Sequence, residues 1–239
     1  MKKLSLLFTK DGLQWHISKG KTVLEEAFHF VTEETSPHLV EEKLDEVLKF
    51  DDYKEIEVIS ALNHFSLTPD TFAEHELGYK LISYNAPVDE ANEELMLSVN
   101  KKFAVQFYYT FPKHFYQKIK AKKLPTKFNF SGEKFLNALT VKNHKEIHIN
   151  LYHHQVEFFA FENKKVVLYN NLDADSEVDF LYFIMFSLSK INFGTAETHF
   201  HIYGETHENE TFISELRKFV KNIKVHFDNA PKKNFVLSY

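Results

Sequence analysis

The chain has 239 residues, enough for one large domain or two compact ones. Its 44% hydrophobic and 26% charged residues are those of an ordinary globular protein, with 25 Phe and 11 Tyr to bury. The absence of cysteine excludes disulfides, thiolate nucleophiles and Cys-ligated zinc, and a net charge of −5 with one arginine, Arg217, argues against nucleic acid as a partner.

In chain order, Leu4, Leu6 and Phe8 alternate with other residues, as do Leu13, Trp15 and Ile17. Asp11-Gly12 lies between the two runs, a strong hairpin signal. A third strand is predicted over Thr22–Phe28. Ser36-Pro37 opens a helix carrying Leu39, Val40, Leu44, Val47 and Leu48 at helical spacing. Glu55–Leu62 reads as a buried strand, and Thr68-Pro69-Asp70 as the start of a helix through Phe72, Leu77 and Leu81. A second hairpin joins Glu94–Val99 to Phe103–Tyr109. Helices follow over Phe111–Ala121 and Ser131–Leu139.

The opening pattern then returns. Ile147, Ile149 and Leu151 alternate, followed by Val156, Phe158 and Ala160. Further elements are a strand at Lys165–Tyr169, a helix at Glu177–Lys190, a strand at His199–Tyr203, a helix at Glu210–Val220 and a strand at Ile223–Phe227. An offset of 143 residues places Leu4 on Ile147, Leu6 on Ile149, Phe8 on Leu151, Leu13 on Val156 and Trp15 on Phe158. By the same offset Ile56–Ile59 falls on His199–Ile202. The expected fold is therefore α/β: two lobes built from duplicated β-β-β-α-β units, with mixed sheets flanked by helices. Residues 1–145 would form the first lobe, with an irregular segment at about 72–131, and residues 146–239 the second.

Ser5, Thr9 and Lys10 interrupt the apolar run that a secretory leader needs. The longest nearly unbroken apolar stretch, Phe180–Leu188, is well short of the roughly 18 residues of a membrane span. The expected setting is cytoplasmic, with no membrane span. The helix segment VDFLYFIMFSL, from Val178, is apolar nearly all round, which predicts burial on more than one side. Asp173, Asp175, Glu177 and Asp179 lack the Gly and Glu that a calcium loop requires, and Ser176 with Asp179 reads instead as a helix cap.

The stretches LSLLFTKDGLQWHI, VVLYNNLDADSEVDFLYFIMFSLSKINF and HIYGE resemble the DUF3822 family of bacterial proteins. The likeness covers nearly the whole chain, with 72–131 matching loosely. It implies a divergent actin-like ATPase fold of ribonuclease H-like, two-lobed type, and brings no activity with it.

That resemblance sets a chemical test. An actin-like ATPase implies an Asp at the end of each first strand, to hold the metal and orient water. It also implies glycines in both hairpin turns, so that backbone N–H groups can approach phosphates. By the offset, Leu7 and Asn150 stand at the acid positions, and the second turn reads Tyr152-His153-His154. The chain has six glycines and no Walker loop or G-x-G-x-x-G. Asp11, Gly12, Asn150, His153 and Gly204 are the candidate positions of a degenerate nucleotide cleft. Separately, His199 and His201 point to one face of a strand and His148 lies on another strand of the same half, three imidazoles that could ligate zinc. No H-E-x-x-H spacing accompanies them.

The expected function is a non-catalytic actin-like scaffold or adaptor that binds another protein and needs no cofactor. One alternative is a divergent nucleotide-binding protein with weak ATPase or kinase activity, taking ATP and Mg. Another is a metal-dependent hydrolase ligated by His148, His199 and His201. Partner identity and oligomeric state are not encoded in any motif.

Overall fold

The computed structural model describes residues 2–30, 38–50, 52–174, 176–206, 209–226 and 235–238. The chain divides into two compact units, Met1–Lys134 and Phe135–Tyr239. The division falls earlier than the expected 145/146, because Phe135 packs against Phe159, Tyr203 and Phe235 of the second unit.

The first unit opens with strands β1 (Lys2–Thr9) and β2 (Gly12–Lys19), an antiparallel pair. Thr9 pairs with Gly12, so the turn itself is Lys10-Asp11. Strand β3 (Thr22–Phe30) pairs with β2. Helix α1 (Leu39–Leu48) leads to β4 (Tyr53–Ser60), which lies parallel to β1. The expected helix start at Ser36-Pro37 lies outside the described residues.

Next come β5 (Phe65–Pro69), α2 (Gly78–Ser83), β6 (Glu93–Asn100), β7 (Val105–Pro112), α3 (Lys113–Ala121), β8 (Thr126–Phe130) and α4 (Ser131–Ala138). The main sheet has the order β3-β2-β1-β4-β8, and β5-β7-β6 form a separate sheet. Two expectations are corrected in this segment. Thr68 and Pro69 end a strand paired with β7 instead of opening a helix. Proline has no N–H for the ladder, and its place at the last strand position limits that cost. Phe111 belongs to β7, where Phe107, Tyr109 and Phe111 are buried on alternate positions, and the helix starts at Lys113.

The second unit runs β9 (Glu146–Leu151), β10 (Gln155–Glu162), β11 (Lys165–Asp173), α5 (Glu177–Lys190), β12 (His199–Gly204), α6 (Glu210–Leu216), β13 (Asn222–Val225) and α7 (Phe235–Ser238). Its sheet order, β11-β10-β9-β12-β13, repeats that of the first unit. The first pairs are antiparallel and the last two parallel in both sheets. The duplicated unit is thus β-β-β-α-β-α-β, with the β5-β7-β6 sheet inserted in the first copy. After the helix the offset slips by one residue. Leu4 pairs with Ile56 and Ile147 with Phe200, so Ile56 corresponds to Phe200 and not to His199.

Alternation decides which face each residue takes. In the first unit Leu4, Leu6, Phe8, Leu13, Trp15, Ile56 and Val58 join Leu44, Val47 and Ile119 of the helices in one core. In the second, Ile147, Ile149, Leu151, Val156, Phe158, Phe200 and Ile202 meet Phe180, Ile184, Leu188 and Leu216. Each such side chain stabilises its unit by roughly 1.5–3 kcal/mol when fully buried. The residues between them face the opposite side of each sheet, and it is there that the polar groups collect.

Helix α5 starts as expected: Ser176 Oγ accepts from the Asp179 backbone N–H at 3.2 Å. Its burial differs from expectation. Val178, Tyr182 and Phe186 form a stripe along one face and are 69%, 59% and 48% exposed. Among the described residues, no helix is long and apolar enough to cross a membrane.

Candidate functional site

The candidate nucleotide positions divide between the units. In the first, Asp11 is buried in the β1–β2 turn, where its backbone N–H donates to Thr9 Oγ1 at 3.2 Å. Gly12 is the first residue of β2, with φ +138°. Leu7, at the place of the first metal-holding acid, is fully buried.

In the second unit the structure brings Asn150 and Gly204 together at the ends of β9 and β12. Asn150 is buried, and its Nδ2 donates to Glu157 Oε1 at 2.8 Å. Gly204 has φ +85°, and a Cβ there would stand 2.3 Å from Leu151 O and 2.5 Å from Asn150 Oδ1. Close backbone packing therefore accounts for this glycine without any ligand. His153 occupies the β9–β10 turn with its ring 3.9 Å from that of His154. The acid that would hold a metal and the glycine that would open the turn are not here: Asn150 and His153 stand in their places. The Asn150 amide nitrogen donates to a carboxylate, the turn carries two imidazoles, and a Cβ at Gly204 would meet Leu151 and Asn150.

Beneath Asn150 lies a residue with no sequence signal of its own, Glu157 on β10. It is completely buried, and its oxygens accept from Asn150 Nδ2 at 2.8 Å, Tyr152 Oη at 2.5 Å and Tyr169 Oη at 2.9 Å. Donors of this kind allow an isolated carboxylate to stay inside a protein.

The histidines form a second centre, at the other end of the same polar face. β9 and β12 lie parallel, with His148 opposite His201 and Glu146 opposite His199. The rings of His148 and His201 stack with centroids 4.5 Å apart. His148 Nε2 lies 3.3 Å from Glu146 Oε2, and His201 Nε2 lies 3.4 Å from Glu146 Oε1. One ligand atom from each of Glu146, His148 and His201 falls within a sphere of contacts no wider than 4.8 Å. His199 turns to His144, with ring centroids 4.2 Å apart, and is not in that group. Glu146 takes the place that the sequence reading assigned to His199. The signal for it was available: Glu146 and His148 are two apart on one strand and so share a face.

Surrounding groups orient all three. His148 Nδ1 lies 3.2 Å from Tyr203 Oη, and His201 Nδ1 lies 2.6 Å from His226 Nε2. The Lys142 backbone N–H donates to Glu146 Oε2 at 3.0 Å, and His144 Nε2 lies 2.9 Å from Oε1. Burial by itself would raise the Glu146 carboxyl. Hydrogen bonds from His148 and Lys142, with the pull of the nearby imidazoles, outweigh it and hold the group at about 2. Burial lowers His148. Burial, followed by repulsion from His148, lowers His201 to about 4.

The chain matches the family described as protein of unknown function (DUF3822) over residues 1–223. No curated protein matches it in sequence. Among solved structures it is similar to a Bacteroides thetaiotaomicron protein with an actin-like ATPase fold and unknown function. That match has a TM-score of 0.80 and 20% identity, covering 94% of this chain and 90% of the other. It is also similar to the PilM-PilN type IV pilus biogenesis complex, with TM-score 0.60, 10% identity, and coverage of 95% and 90%. A third likeness is to the ethanolamine utilization protein EutJ from Carboxydothermus hydrogenoformans, with TM-score 0.51, 8% identity, and coverage of 100% and 87%. The repeated sheet order, the family match and these likenesses agree: the chain belongs to the DUF3822 family and has the actin-like ATPase fold.

Proposed function

We propose that this protein is a non-catalytic scaffold or adaptor of the actin-like class, which acts by binding another protein. The observation that carries the reading is the state of the phosphate-contact positions. The duplicated framework is intact, yet Leu7 and Asn150 stand where acids would hold a metal, and the Asn150 amide nitrogen donates to Glu157. Gly204 is filled from below by Leu151 and Asn150. A chain that keeps the frame and loses the chemistry has kept a shape.

Two further observations support the partner. The likeness to PilM-PilN is to a protein solved together with another protein. The stripe Val178, Tyr182 and Phe186 offers exposed apolar surface of the kind that marks interaction sites.

Thermal unfolding with and without millimolar Mg-ATP tests the non-catalytic half. A ligand at ~100 times its dissociation constant stabilises by about 2.7 kcal/mol, or roughly 5–10 °C for a chain of this size. The reading expects no shift, and a shift of that size overturns it. In-cell crosslinking tests the other half: a partner should be recovered in a fixed ratio, and failure to recover one in repeated captures counts against it.

A further inference from the structure

The two sheets carry the same triangle of positions on their polar faces, filled with different chemistry. In the first unit Lys3 and Ser5 of β1 pair across to Glu55 and Glu57 of β4. In the second, Glu146 and His148 of β9 pair across to His199 and His201 of β12. Lys3, Ser5 and Glu57 thus correspond to Glu146, His148 and His201. In the first unit the triangle is complete in itself, since Lys3 Nζ lies 2.6 Å from Glu57 Oε2. In the second the carboxylate sits on the opposite strand, and two imidazoles stand where the first unit has a hydroxyl and an acid. Glu146 itself stands at the place of Lys3.

We propose that Glu146, His148 and His201 bind one divalent transition-metal ion of the zinc type. The proposal is independent of the reading of the protein as a scaffold.

The geometry supports it in three ways. First, both histidines present Nε2 to the carboxylate at 3.3 and 3.4 Å. Ligands about 2.0–2.1 Å from a tetrahedral ion stand about 3.3 Å from each other, the separation each imidazole already has from its own carboxylate oxygen, and one ligand atom of each residue lies within 4.8 Å of the other two. Second, both histidines hold Nδ1 against an outer partner, Tyr203 Oη for His148 and His226 Nε2 for His201. A metal-bound imidazole directs its other nitrogen at an outer partner in this way. Third, His201 Nε2 is buried without a hydrogen bond and faces Glu146 Oε1 at 3.4 Å, an oxygen that His144 Nε2 approaches to 2.9 Å from elsewhere. An ion between them would give His201 Nε2 the partner it lacks. Two imidazoles and one carboxylate also form a donor set suited to zinc, and the same set serves other divalent transition metals. His226 is exposed beside His201.

The experiment uses untagged full-length protein stripped with a chelator and titrated with Zn²⁺, with Co²⁺ as the spectroscopic probe. The wild type is expected to bind one equivalent, with visible Co²⁺ absorption of a low-symmetry site and a raised unfolding midpoint. His201→Gln removes a ligand at a partly exposed position. It should weaken binding by more than about 100-fold, beyond the 10–100-fold typical of losing an outer partner. Glu146→Gln should do the same, and His199→Gln, on the same strand and face, should leave binding intact. Far-UV circular dichroism checks each fold; if Glu146→Gln fails to fold, His201→Gln decides. No saturable binding to the wild type overturns the proposal. Binding that survives His201→Gln unchanged also overturns it, since the ion would then sit on other histidines.

Discussion

The two units are built on one plan and neutralise their buried charges by different means. In the first, Glu57 is met by Lys3 at 2.6 Å, Lys134 at 3.0 Å and Asn129 at 2.8 Å, so cations of the chain itself balance it. In the second, Glu157 is met by neutral amide and hydroxyl donors, and Glu146 by imidazoles. A duplicated backbone therefore fixes where a polar group stands and leaves open what charge it carries. The first unit holds its own counter-ions, and the second offers a place for one from solution.

The comparison breaks most sharply at the ends of the inner parallel strands. Gly204 corresponds to Ser60, since they pair with Leu151 and Phe8 in turn. Gly204→Ala forces a Cβ to within 2.3 Å of Leu151 O at φ +85°. The expected loss is about 3–5 kcal/mol, read from urea unfolding. A loss below 1 kcal/mol, on the order of an ordinary surface change, would show that the strand end yields and that packing does not explain the glycine.

The next effect concerns Glu57. Burial pushes its carboxyl up, but the hydrogen bonds and charges of Lys3 and Lys134 bring it down to about 2. Because the folded value lies below the unfolded one, the stabilisation is fully present above the unfolded value and is lost as pH falls through the folded one. Between about pH 6 and about pH 2 the wild type should lose roughly 3 kcal/mol that Glu57→Gln does not. Parallel pH profiles of the two proteins would contradict the assignment.

A smaller effect is expected at Glu157. Glu157→Gln keeps one acceptor and sets an amide N–H against hydroxyls that now donate, costing about 1–2 kcal/mol by denaturant unfolding. The smallest effect returns to the first unit. Ser60 Oγ is buried without a hydrogen-bond partner, so Ser60→Ala should change stability by less than about 1 kcal/mol. The contrast with Gly204→Ala at the corresponding position is the sharpest single comparison between the units.

Much of this frame was legible because period-2 alternation survives in both copies. Leu4, Leu6 and Phe8 and their counterparts Ile147, Ile149 and Leu151 all point to a core, as their spacing required. The strand at Phe65–Pro69 was not legible, because Thr68-Pro69-Asp70 is also a helix-start pattern and pairing with β7 decided between them. The one-residue slip between Ile56 and Phe200 arises beyond the first three strands, where the crossover helices have different lengths: α1 has 10 residues and α5 has 14. Of the histidine centre, the sequence placed His148 and His201 in one half but not in register. Only the pairing of β9 with β12 sets His148 beside His201, brings Glu146 into the group and turns His199 toward His144.

The most direct measurement is thermal unfolding of untagged protein in parallel samples, one with Zn²⁺ and one with Mg-ATP, against a metal-free control. The account predicts that Zn²⁺ raises the midpoint and Mg-ATP leaves it unchanged. A midpoint raised by Mg-ATP and unmoved by Zn²⁺ would contradict it, placing the working ligand at the nucleotide positions and leaving the histidine centre a purely structural cluster.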